Sequence, residues 1–376
     1  MDYETLQREV EKYQDTMTDA ERNQAYADGK EVDRIPFLMQ IGEPQAGLYS
    51  YTMKEYRNSA EVQIDVAKRS REDFQVGAPV ASTWLGWRGA GHALGSVVVS
   101  PENSLEYISD YVLKDYSMLD DLVFDPETNP VLQRCIKTAC KVRELTKGQC
   151  QTITRISGPM SVAIAIRKPE LFLRDMIQNK ENAHRLLDFS VECNLKWIKY
   201  NINMFGRIPI SISDPGSACN LISLRMFREF SKPHLEKMVS GIKELIGSIP
   251  GIHICGKTKA IWNDLAELGF SSFSVDNCED LTELKATIGD KMTISGNVPP
   301  TTVLKNGTID DVVESVKECL IKGSDSPMGF LLQPGCQIPA GTPKENLLAY
   351  AYAARRYGRG AKKGQLCRGL IEEGLV

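Results

Sequence analysis

Long hydrophobic runs are missing from this chain of 376 residues. No stretch of 18 apolar residues occurs, so no helical membrane span is expected. A basic surplus is missing too: 45 Lys and Arg stand against 49 Asp and Glu, and the net charge of −4 argues against nucleic acid as a main partner, because phosphate binding needs a basic surface. The ten cysteines lack the spacing of a disulfide framework, and no two close pairs are present to make a structural zinc site. No internal repeat, low-complexity tract or Pro/Gly/Ser-rich linker divides the chain. Its first ten residues are polar and acidic, unlike a signal peptide, and a cytoplasmic protein is the expectation.

What is present is an alternation of short apolar, β-rich runs with longer amphipathic stretches. Eight such runs lie at 34–39, 74–81, 152–157, 208–213, 251–255, 272–275, 292–295 and 329–333. Helical patterns follow most of them, at 171–179, 182–201, 224–246, 258–268, 310–321 and 344–357. Eight strand–helix units predict an α/β fold, a (β/α)8 TIM barrel. Residues 1–32 read as an N-terminal helical extension, 33–357 as the barrel, and 358–376 as a tail that is either disordered or packed on a second copy in a homodimer. Residues 82–126 read as an insertion after the second strand.

Barrel active sites form at the C-terminal ends of strands. The residues at those ends are Gln40, Ser157, Asp214, His253 with Cys255, Asp276 with Asn277, Asn297 and Cys336. His253 and Cys255 stand two apart in Gly-Ile-His-Ile-Cys-Gly, so strand alternation puts both on one side. Cys336 closes Phe-Leu-Leu-Gln-Pro-Gly-Cys. Taken singly, these are a core histidine and core thiols; gathered at one rim, one imidazole and two thiolates are a zinc set with a fourth position open. Gly256 and Gly335 beside them permit turns that bring the ligands inward.

The other polar groups carry two readings each. Asp214, in Ser-Asp-Pro-Gly-Ser, is a turn and cap residue or a carboxylate aimed into the rim as fourth ligand or acid/base. Asp276 and Asn297 cap the next helix or turn, or they line a substrate pocket, as Gln40 and Ser157 would. Trp84 and Trp87, in a Gly-rich segment with Arg88 and His92, are packed core or a lid that stacks on a flat ligand. His184 and His234 read as surface or cap residues. Cys135, Cys140, Cys150, Cys193, Cys278, Cys319 and Cys367 read as buried core thiols.

The segments Val-Asp-Arg-Ile-Pro, Ile-Ser-Gly-Pro, Ser-Asp-Pro-Gly-Ser-Ala, His-Ile-Cys-Gly, Ile-Ser-Gly-Asn-Val and Pro-Gly-Cys-Gln-Ile-Pro-Ala-Gly-Thr-Pro-Lys-Glu-Asn resemble the uroporphyrinogen decarboxylase superfamily over residues 33–357. His-x-Cys with a distal Cys resembles its zinc- and corrinoid-dependent methyltransferases. That resemblance implies Zn2+ on His253, Cys255 and Cys336, and a corrinoid (cobalamin) carried by a partner protein, since the chain has no Asp-x-His-x-x-Gly motif of its own. True decarboxylases of this superfamily grip substrate carboxylates with an Arg-rich N-terminal segment. Here the stretch after Arg34, Ile-Pro-Phe-Leu-Met-Gln-Ile-Gly-Glu-Pro, holds no arginine, which argues against decarboxylation.

Two methyl-transfer roles follow from the resemblance. In one, a small methoxylated, aromatic methyl donor gives its methyl to cobalt(I) of a separate corrinoid protein. In the other, an acceptor thiol such as coenzyme M takes a methyl from the corrinoid. The helical extension and the Trp-containing insertion favour the first, because an aromatic pocket suits a methoxylated ring. A corrinoid- or ligand-binding module without turnover is the non-enzymatic alternative.

Overall fold

A computed structural model describes all 376 residues. Its strands are β1 (Val32–Arg34), β2 (Val80–Ser82), β3 (Val97–Val99), β4 (Tyr107–Asp110), β5 (Gln151–Ser157), β6 (Ile210–Ser213), β7 (Gly251–Ile254), β8 (Ser272–Val275), β9 (Thr293–Val298), β10 (Phe330–Pro334) and β11 (Arg359–Ala361). Seven of them form one sheet in the order β10-β9-β8-β7-β6-β5-β2. Phe37 adds an eighth parallel position by bridging to Leu332 of β10. Helices connect the strands, which gives the expected (β/α)8 arrangement. No helix is long and apolar enough to cross a membrane.

The strands alternate as a barrel wall requires. Ile156, Ile212, Ile252 and Ile254 are at most 2% exposed on one face, while Arg155, Ser211, Ser213 and His253, the intervening residues, are half-buried on the other.

Two compact units make up the chain. The first comprises Met1–Tyr51, Val66–Gly77 and Ser272–Val376. Its core is the helix Lys344–Tyr357, with Tyr350 and Tyr352 fully buried. The polar N-terminal extension forms two helices, Tyr3–Val10 and Asp19–Ala27, the second opened by a Thr18/Glu21 capping box. The expected first strand at 34–39 is split. Pro36 has no N–H, so a continuous ladder cannot run through it. Upstream of it β1 pairs antiparallel with β11, and downstream the Leu38 N–H donates to the Leu332 carbonyl at 2.9 Å. The expected second strand at 74–81 is also shorter. The helix Ala60–Phe74 runs on and buries Phe74, and the chain then turns through Gln75 (φ 55°) and Gly77 (φ 92°). The tail is ordered. It supplies β11 and the helix Arg368–Glu372, buries Leu370, and pairs Glu373 with Arg356 at 2.6 Å.

The second unit comprises Thr52–Asp65 and Ala78–Ser271. Its insertion holds the helix Trp87–Ala93 and the β3–β4 hairpin. The helix Lys180–Phe205 docks through Trp197, fully buried, whose indole N–H donates to the Thr83 carbonyl at 3.2 Å. The pattern over 224–246 is helical throughout but contains a π turn at Phe227–Ser231, one residue before the helix in which Pro233 withholds its N–H. His234, expected at the surface, is 2% exposed, because its helix turns that face onto His184 of the helix Lys180–Phe205, whose ring stacks on it with centroids 5.3 Å apart. Conversely, Cys278 is exposed in a turn and is not a core thiol.

Candidate functional site

The strand β7 delivers His253 on its half-buried face, and Cys255 follows directly. The His253 Nε2 lies 2.9 Å from the Cys255 Sγ. Gly256 then reverses the chain at φ +82°, a conformation that glycine adopts without strain. The segment after Asp214 holds this turn from one side: the Cys219 N–H donates to the Lys257 carbonyl at 2.7 Å, and the Lys257 N–H donates to the Asn220 Oδ1 at 3.2 Å. A methyl group on Gly256 would overlap that Asn220 oxygen.

Cys336 comes after β10 and Gly335. Here the glycine serves close approach rather than an unusual turn, since an added Cβ would lie 2.8 Å from the Asn277 Cβ. One ligand atom from each of His253, Cys255 and Cys336 lies within 4.8 Å of the other two, and all three residues are half-buried. Tetrahedral zinc with Zn–S near 2.3 Å and Zn–N near 2.0 Å sets its ligand atoms about 3.5–3.8 Å apart. The donor set therefore fits zinc after small side-chain adjustments, and incomplete burial leaves access for a fourth ligand.

Asp214 is fully buried. Its Oδ1 accepts from the Ser161 N–H (2.8 Å) and Ser161 Oγ (2.7 Å), and its Oδ2 accepts from the Ser217 Oγ (2.7 Å). Burial raises its carboxyl above the ordinary range, against the lowering effect of those serines. Its backbone N–H donates to the His253 carbonyl at 2.9 Å. Ser157, 3% exposed, ends β5 in register with Ser213, and its carbonyl accepts from Asn194.

Asn297 and Asp276 come together in the first unit. The Asn297 Nδ2 donates to the carbonyls of Asp276 (3.2 Å) and Glu279 (2.8 Å), while the Asp276 Oδ1 accepts from the Cys278 N–H at 3.0 Å. Gln40 is half-buried beyond the Phe37 bridge. Trp84 is 44% exposed, with the Arg155 guanidinium 5.6 Å from its ring centroid; Trp87 opens the helix Trp87–Ala93.

Several polar partners escape the sequence reading. Ser161 and Ser217 hold Asp214. Gln333, 4% exposed, donates through Nε2 to Ser295 Oγ at 3.1 Å and to Ser274 Oγ. The signal for Gln333 was a lone polar residue in an apolar strand, which β9 and β8 complete with serines at facing positions.

The basic groups at the N-terminus are already paired. Arg34, 3% exposed, grips Asp15 through Nε (2.8 Å) and Nη2 (2.7 Å), and Arg355 joins the same carboxylate at 2.9 Å. Arg34 is thus committed to the fold and does not serve as a grip for substrate carboxylates.

The family model described as "Uroporphyrinogen decarboxylase (URO-D)" matches residues 18–357. Methylcobamide:CoM methyltransferase MtaA of Methanosarcina barkeri is 31% identical over 217 residues, 57% of this chain and 61% of that protein. Methylcobamide:CoM methyltransferase MtbA of Methanosarcina acetivorans is 32% identical over 201 residues, 53% of this chain and 56% of that protein. The chain therefore spans less than two thirds of the length of these relatives. A solved "methyltransferase from Methanosarcina mazei" shares the fold with a TM-score of 0.72 at 24% identity, covering 90% of this chain and 98% of that one.

Proposed function

We propose that this chain, which belongs to the uroporphyrinogen decarboxylase family, is a corrinoid-dependent methyltransferase that holds one zinc ion through His253, Cys255 and Cys336. The observation that carries this reading is the grouping of one imidazole and two thiols within 4.8 Å. When bound, zinc supplies Lewis-acid chemistry to a thiol or an ether oxygen. The names of the methylcobamide:CoM methyltransferase relatives support methyl transfer involving a corrinoid.

The chain's own residues position the reaction. Cys219 and Asn220 fix the turn after Cys255, and Asp214 ties the β6 end to the His253 backbone. With both carboxylate oxygens taken by serine donors, Asp214 acts in this reading as a positioning residue. Ser157, Gln40, Asp276 and Asn297 belong to the rim around the site, and Trp84 with Trp87 offers aromatic surface to a flat methyl donor. A methoxylated aromatic compound passes its methyl to cobalt(I) of a separate corrinoid protein: the C–O bond breaks, cobalt supplies the electron pair of the new C–Co bond, and the oxygen leaves with its pair and takes a proton from water. The hard chemistry belongs to the corrinoid.

The test is a spectrophotometric assay of cob(I)alamin with zinc-loaded protein and a panel of methoxybenzenes and methoxybenzoates. Formation of methylcobalamin supports this direction. Inertness of the whole panel, with turnover of methylcobalamin and 2-mercaptoethanesulfonate instead, would assign the thiol-methylating direction favoured by the names of the relatives. Inertness in both assays would sink the methyltransferase reading.

A further inference from the structure

Arg155 is the one residue in β5 whose charge the fold does not answer. The strand reads Gln-Thr-Ile-Thr-Arg-Ile-Ser, and Arg155 takes the half-buried face opposite Ile156. It forms no ion pair: its Nε donates to the Ser211 Oγ at 3.3 Å, and its guanidinium lies 5.6 Å from the Trp84 ring centroid. The four buried arginines each have a carboxylate partner, as Arg22 has Asp33, Arg34 has Asp15, Arg167 has Asp175 and Arg355 has Asp15, and half-buried Arg143, which has none, donates to the Thr152 Oγ1 outside the strand rows that lead to His253. A sheltered cation without a counter-charge is costly, and desolvation lowers its affinity for the proton below the ordinary arginine value. Such a charge is maintained where a ligand supplies the missing anion.

Its position relates it to the metal ligands. Arg155 pairs in register with Ser211, and Ser211 with Gly251; His253 lies two residues further along β7 on the same face. That is roughly 7 Å along the strands and roughly 10 Å across two of them, before either side chain reaches inward. A molecule of one ring or a short chain spans what remains.

The geometry points to Arg155 as the anchor for an oxyanion, a carboxylate or sulfonate, on the small-molecule substrate, with Ser211 steering the guanidinium and Trp84 forming the adjacent wall. This rests on the proposed function for the role of the neighbouring site and adds the charge of the molecule that occupies it. Arginine suits the task because its planar fork meets an oxyanion with two parallel hydrogen bonds.

Calorimetric titration with two matched pairs tests it: 3-methoxybenzoate against 3-methoxybenzyl alcohol, and 2-mercaptoethanesulfonate against 2-mercaptoethanol. At least one anion should bind about 10- to 100-fold more tightly than its neutral twin, the range of a charge-assisted hydrogen bond. Preference for the carboxylate places the anion on the methyl donor, and preference for the sulfonate places it on an acceptor thiol. Arg155→Met should erase the preference and Arg155→Lys should keep part of it. Equal binding of both pairs to the unaltered protein, absence of binding by either anion, or an undiminished preference in Arg155→Met would overturn the assignment. Zinc content measured on the same samples separates the two ideas: zinc present without charge preference defeats only the Arg155 anchor, and charge preference without zinc defeats only the metal-centred reading.

Discussion

The backbone N–H of Asp214 donates to the carbonyl of His253 at 2.9 Å, so a buried carboxylate and a candidate metal ligand are joined through the main chain rather than through their side chains. Asp214 in turn satisfies three donors from Ser161 and Ser217. Asp214→Ala leaves those donors buried and unpaired, at about 1–3 kcal/mol for each group left without a partner. A lower melting temperature and weaker zinc retention are expected together. If Asp214 instead worked as an acid/base, Asp214→Asn would abolish turnover while leaving melting temperature and zinc content unchanged.

Gly256→Ala probes the turn that comes after Cys255. The residue sits at φ +82°, and a Cβ there would overlap the Asn220 oxygen. A side chain in this region costs about 1–3 kcal/mol. Thermal denaturation should register that loss, and competition with a chelator should show weaker zinc binding. Unchanged values of both would mean that the turn does not hold the ligands.

The N-terminal extension should be sensitive to acid. Burial raises the Asp33 carboxyl, but hydrogen bonds from Arg22 and the Met17 and Thr16 N–H groups outweigh it and bring the group down to about 2. A carboxyl depressed in the folded state adds stability that is present above its unfolded pKa, near 3.9, and is lost as pH falls toward the folded value. Melting temperature should therefore drop between about pH 5 and pH 2, and Asp33→Asn should start lower and show a shallower drop. Parallel curves for the two proteins would contradict this account.

Trp84 is exposed enough that Trp84→Ala should change stability by no more than about 0.5 kcal/mol. Loss of a stacking wall should nonetheless weaken 3-methoxybenzoate about 2- to 10-fold by calorimetry, the range of an aromatic pair. Unchanged affinity, together with the same result for Trp87→Ala, would remove the lid from the account.

Strand–helix alternation made the barrel legible, and the helix over 344–357 falls where its pattern placed it. The failures have local causes. Phe74 looked like strand because an apolar residue at a helix's end has no periodicity to mark it, and the run at 34–39 hid the effect of Pro36 on pairing. In the site, His253 and Cys255 were readable because a strand fixes their shared face. Ser161, Ser217 and Arg155 were not, because their meaning depends on partners that only the fold brings near, such as Asp214 and Ser211.

Zinc stoichiometry by elemental analysis tests the central claim most directly, on the unaltered protein, Cys255→Ser and Cys336→Ser, each shown to be folded. The account predicts about one zinc per chain in the first and a large loss in both variants. A folded, unaltered protein that stays metal-free after zinc is supplied, or variants that retain zinc in full, would contradict it.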